Sequence, residues 1–331
     1  MPAAIRTATL PDVPSMVELL IQDAGRREAH DAALWPLATD AREKIEETVT
    51  FALTAEKQPF RQNWLVAEAD GKLVGIVHSL LLPVPPIYAG EWGEPGLLMP
   101  ETFVAQDAPP GTSEALIEAA EADLRAAGAE LLLASFVCGD DEHAAFLGRG
   151  YEPLTLYLSK SDLESVSEPA DVRAASEEDI EGIVTRSVEH RAILHELDVF
   201  WSPHPEANPR FESWMKKSLS FKDRDMLVTG PSDALEGYAI AQPASRLHFP
   251  PAHDISATGV IDDFFHRQYA DPAHVHGDGA ATQALLQAAE ASFAGRGITT
   301  AFVVCPAAWT SKITVLESAG YRTAMVWMIK R

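Results

Sequence analysis

Two apolar runs, Trp64–Ala69 and Lys72–Val77, flank Asp70-Gly71. An Asp-Gly pair between apolar runs predicts a tight β-hairpin, because both residues tolerate the positive φ that such turns require. The pattern returns later as Met226-Leu-Val-Thr229, a Gly-Pro-Ser-Asp turn, and Gly237-Tyr-Ala-Ile-Ala241. Around each hairpin the order of predicted elements is the same. A short strand (3–9; 170–175) leads through Asp12 or Asp179 into an amphipathic helix. Ser176 followed by Glu177, Glu178 and Asp179 marks the second of these helix starts, with acids in the first turn. A polar, aromatic-bearing helical stretch follows (about 26–57; about 188–221), then the hairpin, then a Pro-rich loop (83–96; 243–254). Another strand, a Gly-containing turn and an Ala-rich helix (113–127; 280–294) lead to apolar strands ending in Cys138 and Cys305. A last helix ends at Gly150-Tyr151 or Gly320-Tyr321, and a final strand closes each half.

The two halves are therefore a repeat. Arg6 and Arg173, Asp12 and Asp179, and the only two cysteines are each 167 residues apart. His30 and His195, Trp35 and Trp201, and Pro85-Pro86 and Pro250-Pro251 keep nearly the same spacing. A period this long is a duplicated domain, since solenoid repeats run about 20–50 residues. The polar stretch Ser159–Pro169 separates the copies, giving units over 1–160 and 170–331 with a linker over 161–169. Hairpins early and one crossover helix later predict a mixed sheet covered by helices.

At 331 residues and 47% hydrophobic, each half can bury its own core. No uninterrupted apolar run is long enough for a membrane span. The N-terminus lacks the basic-then-apolar pattern of a signal peptide, and two cysteines at equivalent positions do not make a disulfide framework. The expectation is a cytoplasmic protein. A net charge of −23 disfavours nucleic acid as a partner and would favour a cationic small molecule.

The sharpest chemical signal is Asp271-Pro-Ala-His274-Val275-His276-Gly277-Asp278-Gly279-Ala280-Ala281-Thr282, between a strand and an Ala-rich helix. Small residues let backbone N–H groups approach an anion, and the helix adds its positive end, so the run reads as a pyrophosphate cradle. A dinucleotide-binding fingerprint needs a third Gly where Thr282 stands, and no Gly-Lys-Ser/Thr follows for a Walker loop. The first half has Asp107-Ala-Pro109-Pro110-Gly111-Thr-Ser-Glu114 here. It keeps one Gly, loses N–H donors to its prolines and sets acids where a phosphate would lie.

Strand, Gly-loop, helix, strand, helix, Gly-Tyr and final strand resemble the GNAT superfamily of acyl-CoA-dependent N-acetyltransferases. That family's loop reads Gln/Arg-x-x-Gly-x-Gly/Ala, matched here by His274, Gly277 and Gly279, with His in place of the usual Gln or Arg. The likeness spans both halves, so the whole chain resembles a tandem GNAT protein, an arrangement mycothiol synthases also show. The fold class it implies is α/β (α+β), two tandem GNAT-like domains, each a mixed, mostly antiparallel sheet flanked by helices. It implies acetyl-CoA as co-substrate, no metal, and a small-molecule amine as acceptor, with catalysis in the second half and a degenerate first half. The implied cofactor surface comprises Phe264 and Phe265 on the strand, the loop run His274-Val275-His276-Gly277-Asp278-Gly279-Ala280-Ala281, and Lys312.

An amine with a pKa near about 10 must lose a proton before attacking a thioester, which calls for a general base. In the strand before the loop, Asp262 and Asp263 are the base candidates, with His266 next. Strict alternation would put Asp262 and His266 on one face and Ile261, Asp263 and Phe265 on the other. The first half keeps one acid here, Glu101. The tyrosine that protonates the leaving thiolate in many family members falls at Leu316, and in the first half at Phe146. Neither can donate, which leaves Tyr269, His276 or water. Cys305 reads as a small buried apolar residue. The run His190…His195…Phe200-Trp201-Ser-Pro-His204 has no recognisable metal-ligand spacing and reads first as packing or solvated surface, then as acceptor contact. The rival reading is a non-catalytic acyl-CoA-binding or interaction protein whose active sites have decayed.

Overall fold

The computed structural model describes residues 2–140, 143–164, 169 and 171–331. Residues 165–168 of the expected linker lie outside them. The first half runs β1 (Ala4–Thr7), α1 (Val13–His30), α2 (Ala41–Thr54), β2 (Gln62–Ala69), β3 (Lys72–Leu81), β4 (Gly96–Leu98) and β5 (Phe103–Val104). It continues through α3 (Thr112–Ala126), β6 (Leu132–Val137), α4 (His143–Gly148) and β7 (Glu152–Lys160). The second half repeats the order, from β8 (Val172–Ala174), α5 (Ile180–Leu197), α6 (Ala207–Ser218), β9 (Asp225–Thr229) and β10 (Gly237–Pro243). β11 (Thr258–His266), α7 (Ala280–Gly295), β12 (Thr300–Pro306), α8 (Thr310–Ser318) and β13 (Arg322–Lys330) follow.

The repeated Arg and Asp build the same joint twice. Arg173 Nη1 and Nη2 donate to Asp179 at 2.7 and 2.6 Å, and Ser176 N–H donates to the same carboxylate at 2.8 Å. Arg6 grips Asp12 at 2.7 and 2.8 Å, and Thr9 N–H donates to it at 2.8 Å. Each clamp fixes the exit of the first strand against the start of the first helix. Hydrogen bonding to Arg173 holds the fully buried Asp179 carboxyl well below the usual carboxylate range. Asp179→Ala removes a helix cap and two charge-assisted bonds and is expected to cost about 2–3 kcal/mol. A group whose folded pKa is depressed stabilises above its unfolded value. The deficit should therefore be full at pH 7 and shrink as pH falls below about 4, which thermal unfolding across pH would show.

Among the described residues the thirteen strands form one sheet, ordered β1-β2-β3-β4-β6-β13-β7-β12-β11-β10-β9-β8, with β5 on β3. The closing strands are exchanged. β13, from the end of the second half, lies antiparallel to β6 of the first, and β7, from the end of the first, lies antiparallel to β12 of the second. β7 and β13 also pair with each other. The two sheets thus continue into one, and Tyr157, Phe302, Trp327 and Phe249 pack across the junction.

The Pro-rich loops cross over as well. In the first-half loop, Ala89 N–H donates to Ser202 O at 2.7 Å, and His204 N–H donates to Ile87 O at 2.9 Å. The second-half loop returns the contact: Ala38 N–H donates to Ala252 O at 2.9 Å, and Asp254 N–H donates to Pro36 O at 2.8 Å. Each half is roofed by a loop of the other.

Candidate active site

β11 begins as a partner of β12, in parallel register from Thr258↔Thr300 to Ile261↔Val303. There the pairing ends and the two strands diverge. On its other side β11 carries a β-bulge: Ala241 faces Ile261 and Ala239 faces Phe264, so Ile240 alone opposes Asp262 and Asp263. A bulge adds one residue to a strand and resets its alternation. This corrects the two faces expected from strict alternation, because Asp262 and Asp263 both line one cavity where the strands part.

That cavity has a volume of about 410 Å³. Its walls come from both halves: the loop Leu82–Pro95 over it, Thr155 and Tyr157 of β7, Trp327 of β13, and His190, Phe200 and Trp201 from the second half. Asp263 Oδ1 accepts from Tyr238 Oη at 3.5 Å and lies 3.8 Å from His190 Nδ1. The carboxylate is 30% exposed, and Asp263 lines the cavity. Burial within these walls, reinforced by the neighbouring Asp262 charge, pushes the Asp263 carboxyl up to about 7, against the pull of Lys312, Arg191 and the Tyr238 bond. Asp262 is more exposed than Asp263, yet the same walls strip enough water from it to raise its carboxyl too, opposed by Arg224 and Lys312. His190 stacks on Phe265 at 5.3 Å, and burial, with Lys312 and Arg191 nearby, holds its imidazole well below the ordinary histidine range. It is therefore a neutral ring beside the acid.

Lys312, in the first turn of α8, lines the same cavity and is 1% exposed. Its ammonium lies 5.7 Å from the Phe264 ring and 5.6 Å from the Trp309 ring, and burial lowers its pKa from the ordinary lysine value. Lys312 precedes Leu316 by one helical turn, so it projects from the same side of α8 as the position where the resemblance puts a tyrosine.

His266 is fully buried, outside the cavity, and its Nδ1 accepts from Gln268 N–H at 3.1 Å. A Cβ on Gly237 would come within 2.5 Å of the His266 ring, so a glycine faces it across the strands. Phe264 and Phe265 have no exposed surface and pack in the core with Tyr269 and Trp309. The Tyr269 phenol is sealed there, and burial raises its pKa. His276 is exposed on the loop, His274 is 77% exposed beside Asp271, and Val275 packs partly against the core. Cys305 is fully buried, and its thiol is pushed up to about 12 by that burial. His195 is exposed, and His204 Nδ1 accepts from Glu206 N–H at 2.9 Å.

The loop from β11 to α7 has the backbone of an anion site. Gly277 and Gly279 take φ of 72° and 71°, a region in which a side chain would be strained. The flanking donors are used: His276 N–H on Gln268 O at 2.6 Å, Ala280 N–H on Asp278 Oδ1 at 3.0 Å, and Thr282 N–H on Gln268 Oε1 at 3.0 Å. Among the described residues, the N–H groups of Gly277, Asp278, Gly279 and Ala281 find no acceptor in the chain. A diphosphate fits such unused donors at a helix start. Trp309 bridges the wedge beyond the loop, with Nε1 donating to Tyr269 O at 2.8 Å, and Ser311 N–H donates to Pro272 O at 2.9 Å.

In the first half the corresponding place is occupied. The β4–β5 strand breaks at Met99–Thr102, and the buried Arg27 of α1 reaches the Pro100 carbonyl. Arg27 also pairs with Asp23 at 2.8 Å and Asp140 at 3.2 Å. Burial opposes the charge on Glu101, but the neighbouring His78, 3.9 Å away, and the Arg27 charge hold its carboxyl below the ordinary range. Gly111 keeps a positive φ of 83°, but the two residues before it are prolines without N–H.

No family model matches the chain, and no curated protein matches its sequence. Solved structures match its fold. A GCN5-related N-acetyltransferase from Sphaerobacter thermophilus superposes with a TM-score of 0.57 at 15% identity, over 99% of this chain and 95% of that one. A tandem GNAT protein from the clavulanic acid biosynthesis pathway gives 0.51 at 15% identity, over 99% and 98%. A glucosamine N-acetyltransferase region of a fungal multi-domain GH3 beta-N-acetylglucosaminidase gives 0.53 at 16% identity, over 99% of this chain and 38% of that one. The chain has a tandem GNAT-type fold. Among the described residues no group of three or more His, Cys, Asp or Glu is placed to hold a metal ion, and no helix is long and apolar enough to cross a membrane.

Proposed function

We propose that the chain is an acyl-CoA-dependent N-acetyltransferase with one active site per chain, in its second half, acting on a small-molecule amine. The observation that carries this reading is the paired carboxylate of Asp262 and Asp263 on a bulge, where two parallel strands separate beside a glycine loop with unused N–H donors. Gly277, Asp278, Gly279 and Ala281 would hold the diphosphate of acetyl-CoA, whose thioester supplies an activated acyl carbon. Asp263, raised toward neutrality, is the base that takes a proton from the ammonium. Its partner Asp262 keeps the site attractive to that cation. Tyr238 and the neutral His190 fix the Asp263 carboxylate. Lys312 holds at Nζ the proton that a departing thiolate requires, in place of the missing tyrosine. The first half contributes the lid loop and β7 to the acceptor cavity. The reading is tested by thiol release from acetyl-CoA with a panel of amines.

Lys312→Met is expected to lower kcat by about 10–100-fold. Lys312 must be protonated to act and has a lowered pKa, so wild-type kcat should fall as pH rises toward 10, and the variant should lack that limb. A pH–rate profile of both proteins checks this.

One observation favours a second reading, a non-catalytic acyl-CoA-binding or interaction protein. Trp309 spans the wedge between the diverging strands. Tight acetyl-CoA binding without turnover on any amine would support it.

A further inference from the structure

The cavity restricts the acceptor more than the fold does. Its charged lining residues are Asp262, Asp263 and Lys312, and all three lie at the end where β11 and β12 part. Away from them the lining is mostly apolar and aromatic, with Tyr88 and Trp92 on the lid loop, Tyr157 and Trp327 on the exchanged strands, and Phe200 and Trp201 after α5; its polar members, Thr155, Gln242, Ser245 and His248, offer hydrogen bonds without a full charge. Among the described residues, no Asp or Glu lines that outer part to receive a second ammonium, and no Arg or Lys lines it to receive a carboxylate or phosphate. A second charge on the acceptor would be desolvated against these walls without a partner, which costs several kcal/mol. A sugar has more hydroxyls than these few polar side chains face, and would set most of them against rings and aliphatic groups. A single ammonium on an apolar or aromatic body meets complementary surface over most of the lining, and a volume of about 410 Å³ holds a small molecule, not a protein segment.

We infer that the acceptor is a hydrophobic monoamine of arylalkylamine type, its ammonium at Asp262 and Asp263 and its body between the lid loop of the first half and the exchanged strands. This deepens the acyltransferase reading and rests on it for the role of acceptor, while the fit of the amine to the cavity is measured separately.

The test is calorimetry at pH 8, where Asp263 is largely ionised, with compounds that differ in one feature. These are 2-phenylethylamine against phenylalanine, which adds a carboxylate, and butylamine against 1,4-diaminobutane, which adds a second ammonium. Glucosamine serves as the polar amine, and acetyl-CoA is titrated in parallel. The expected result is that 2-phenylethylamine binds at least tenfold more tightly than phenylalanine, 1,4-diaminobutane or glucosamine, and that Asp263→Asn weakens it at least tenfold. Trp92→Glu, on an exposed part of the lid, should lower the preference for 2-phenylethylamine over 1,4-diaminobutane at least threefold. Equal or tighter binding of phenylalanine, the diamine or glucosamine overturns the inference, as does an unchanged preference in Trp92→Glu. Acetyl-CoA binding with no amine binding also overturns it and leaves the acyltransferase reading standing. Selective binding of 2-phenylethylamine without acetyl-CoA binding supports the cavity assignment and removes the acyltransferase reading.

Discussion

Asp263→Asn is expected to lower kcat/KM for acyl transfer by about 10²–10⁴-fold, the range over which a positioned general base contributes. The amide keeps the shape of the carboxylate and can still accept from Tyr238, 3.5 Å away, so folding and acetyl-CoA affinity should be nearly unchanged. What is lost is the site that takes the proton. Because burial and the Asp262 charge raise the Asp263 carboxyl to about 7, wild-type kcat/KM should rise with pH through that value as the base ionises and then level. Residual activity in the variant should lack this limb. Asp262→Asn should move the wild-type limb to lower pH, since removing the neighbouring negative charge makes Asp263 easier to ionise. Steady-state rates from pH 5 to 9 distinguish these outcomes. A limb that stays in place in both variants would assign the base elsewhere.

Gly279→Trp is expected to weaken acetyl-CoA binding by roughly 100-fold, because two charge-assisted hydrogen bonds at about 1.5 kcal/mol each account for that much. The residue has φ of 71°, and a Cβ there lies 3.5 Å from Val275 Cγ1, so a large side chain would strain the turn and cover the donors beside it. Gly111→Trp is the matched control. It carries the same kind of backbone, φ of 83°, in the first-half loop, where a Cβ meets no atom within 4 Å. Acetyl-CoA affinity in that variant should equal wild type. Equal losses in both would place anion binding in both loops.

Much of this architecture could be read from local patterns. The Asp70-Gly71 hairpin, the strand-to-helix passage through Asp12 or Asp179 and the α7 start at Ala280 depend on neighbouring residues, and the repeat gives each a counterpart in the other half. The faces of β11 could not be read, because a bulge is one residue facing two and its partner, Ile240, is remote in sequence. Phe264 and Phe265 are adjacent to the acids yet turn into the core, and His266 serves a backbone N–H instead of the cavity. The strand exchange was hidden for a different reason. β7 and β13 are both closing apolar strands of like pattern in a duplicated chain, so pairing within a half and pairing across halves leave the same trace. With the exchange went Thr155, Tyr157 and Trp327, and with the crossed loops went Tyr88 and Trp92. None of these carries a local signal, and all of them wall the site.

The measurement that bears most directly on a single acyl-CoA site in the second half is calorimetric titration of the purified protein with acetyl-CoA. A stoichiometry of one per chain is the expected result, since Arg27 occupies the corresponding place in the first half and prolines remove its loop donors. A stoichiometry of two would contradict the assignment of a closed first half. No binding would contradict the acyltransferase reading itself.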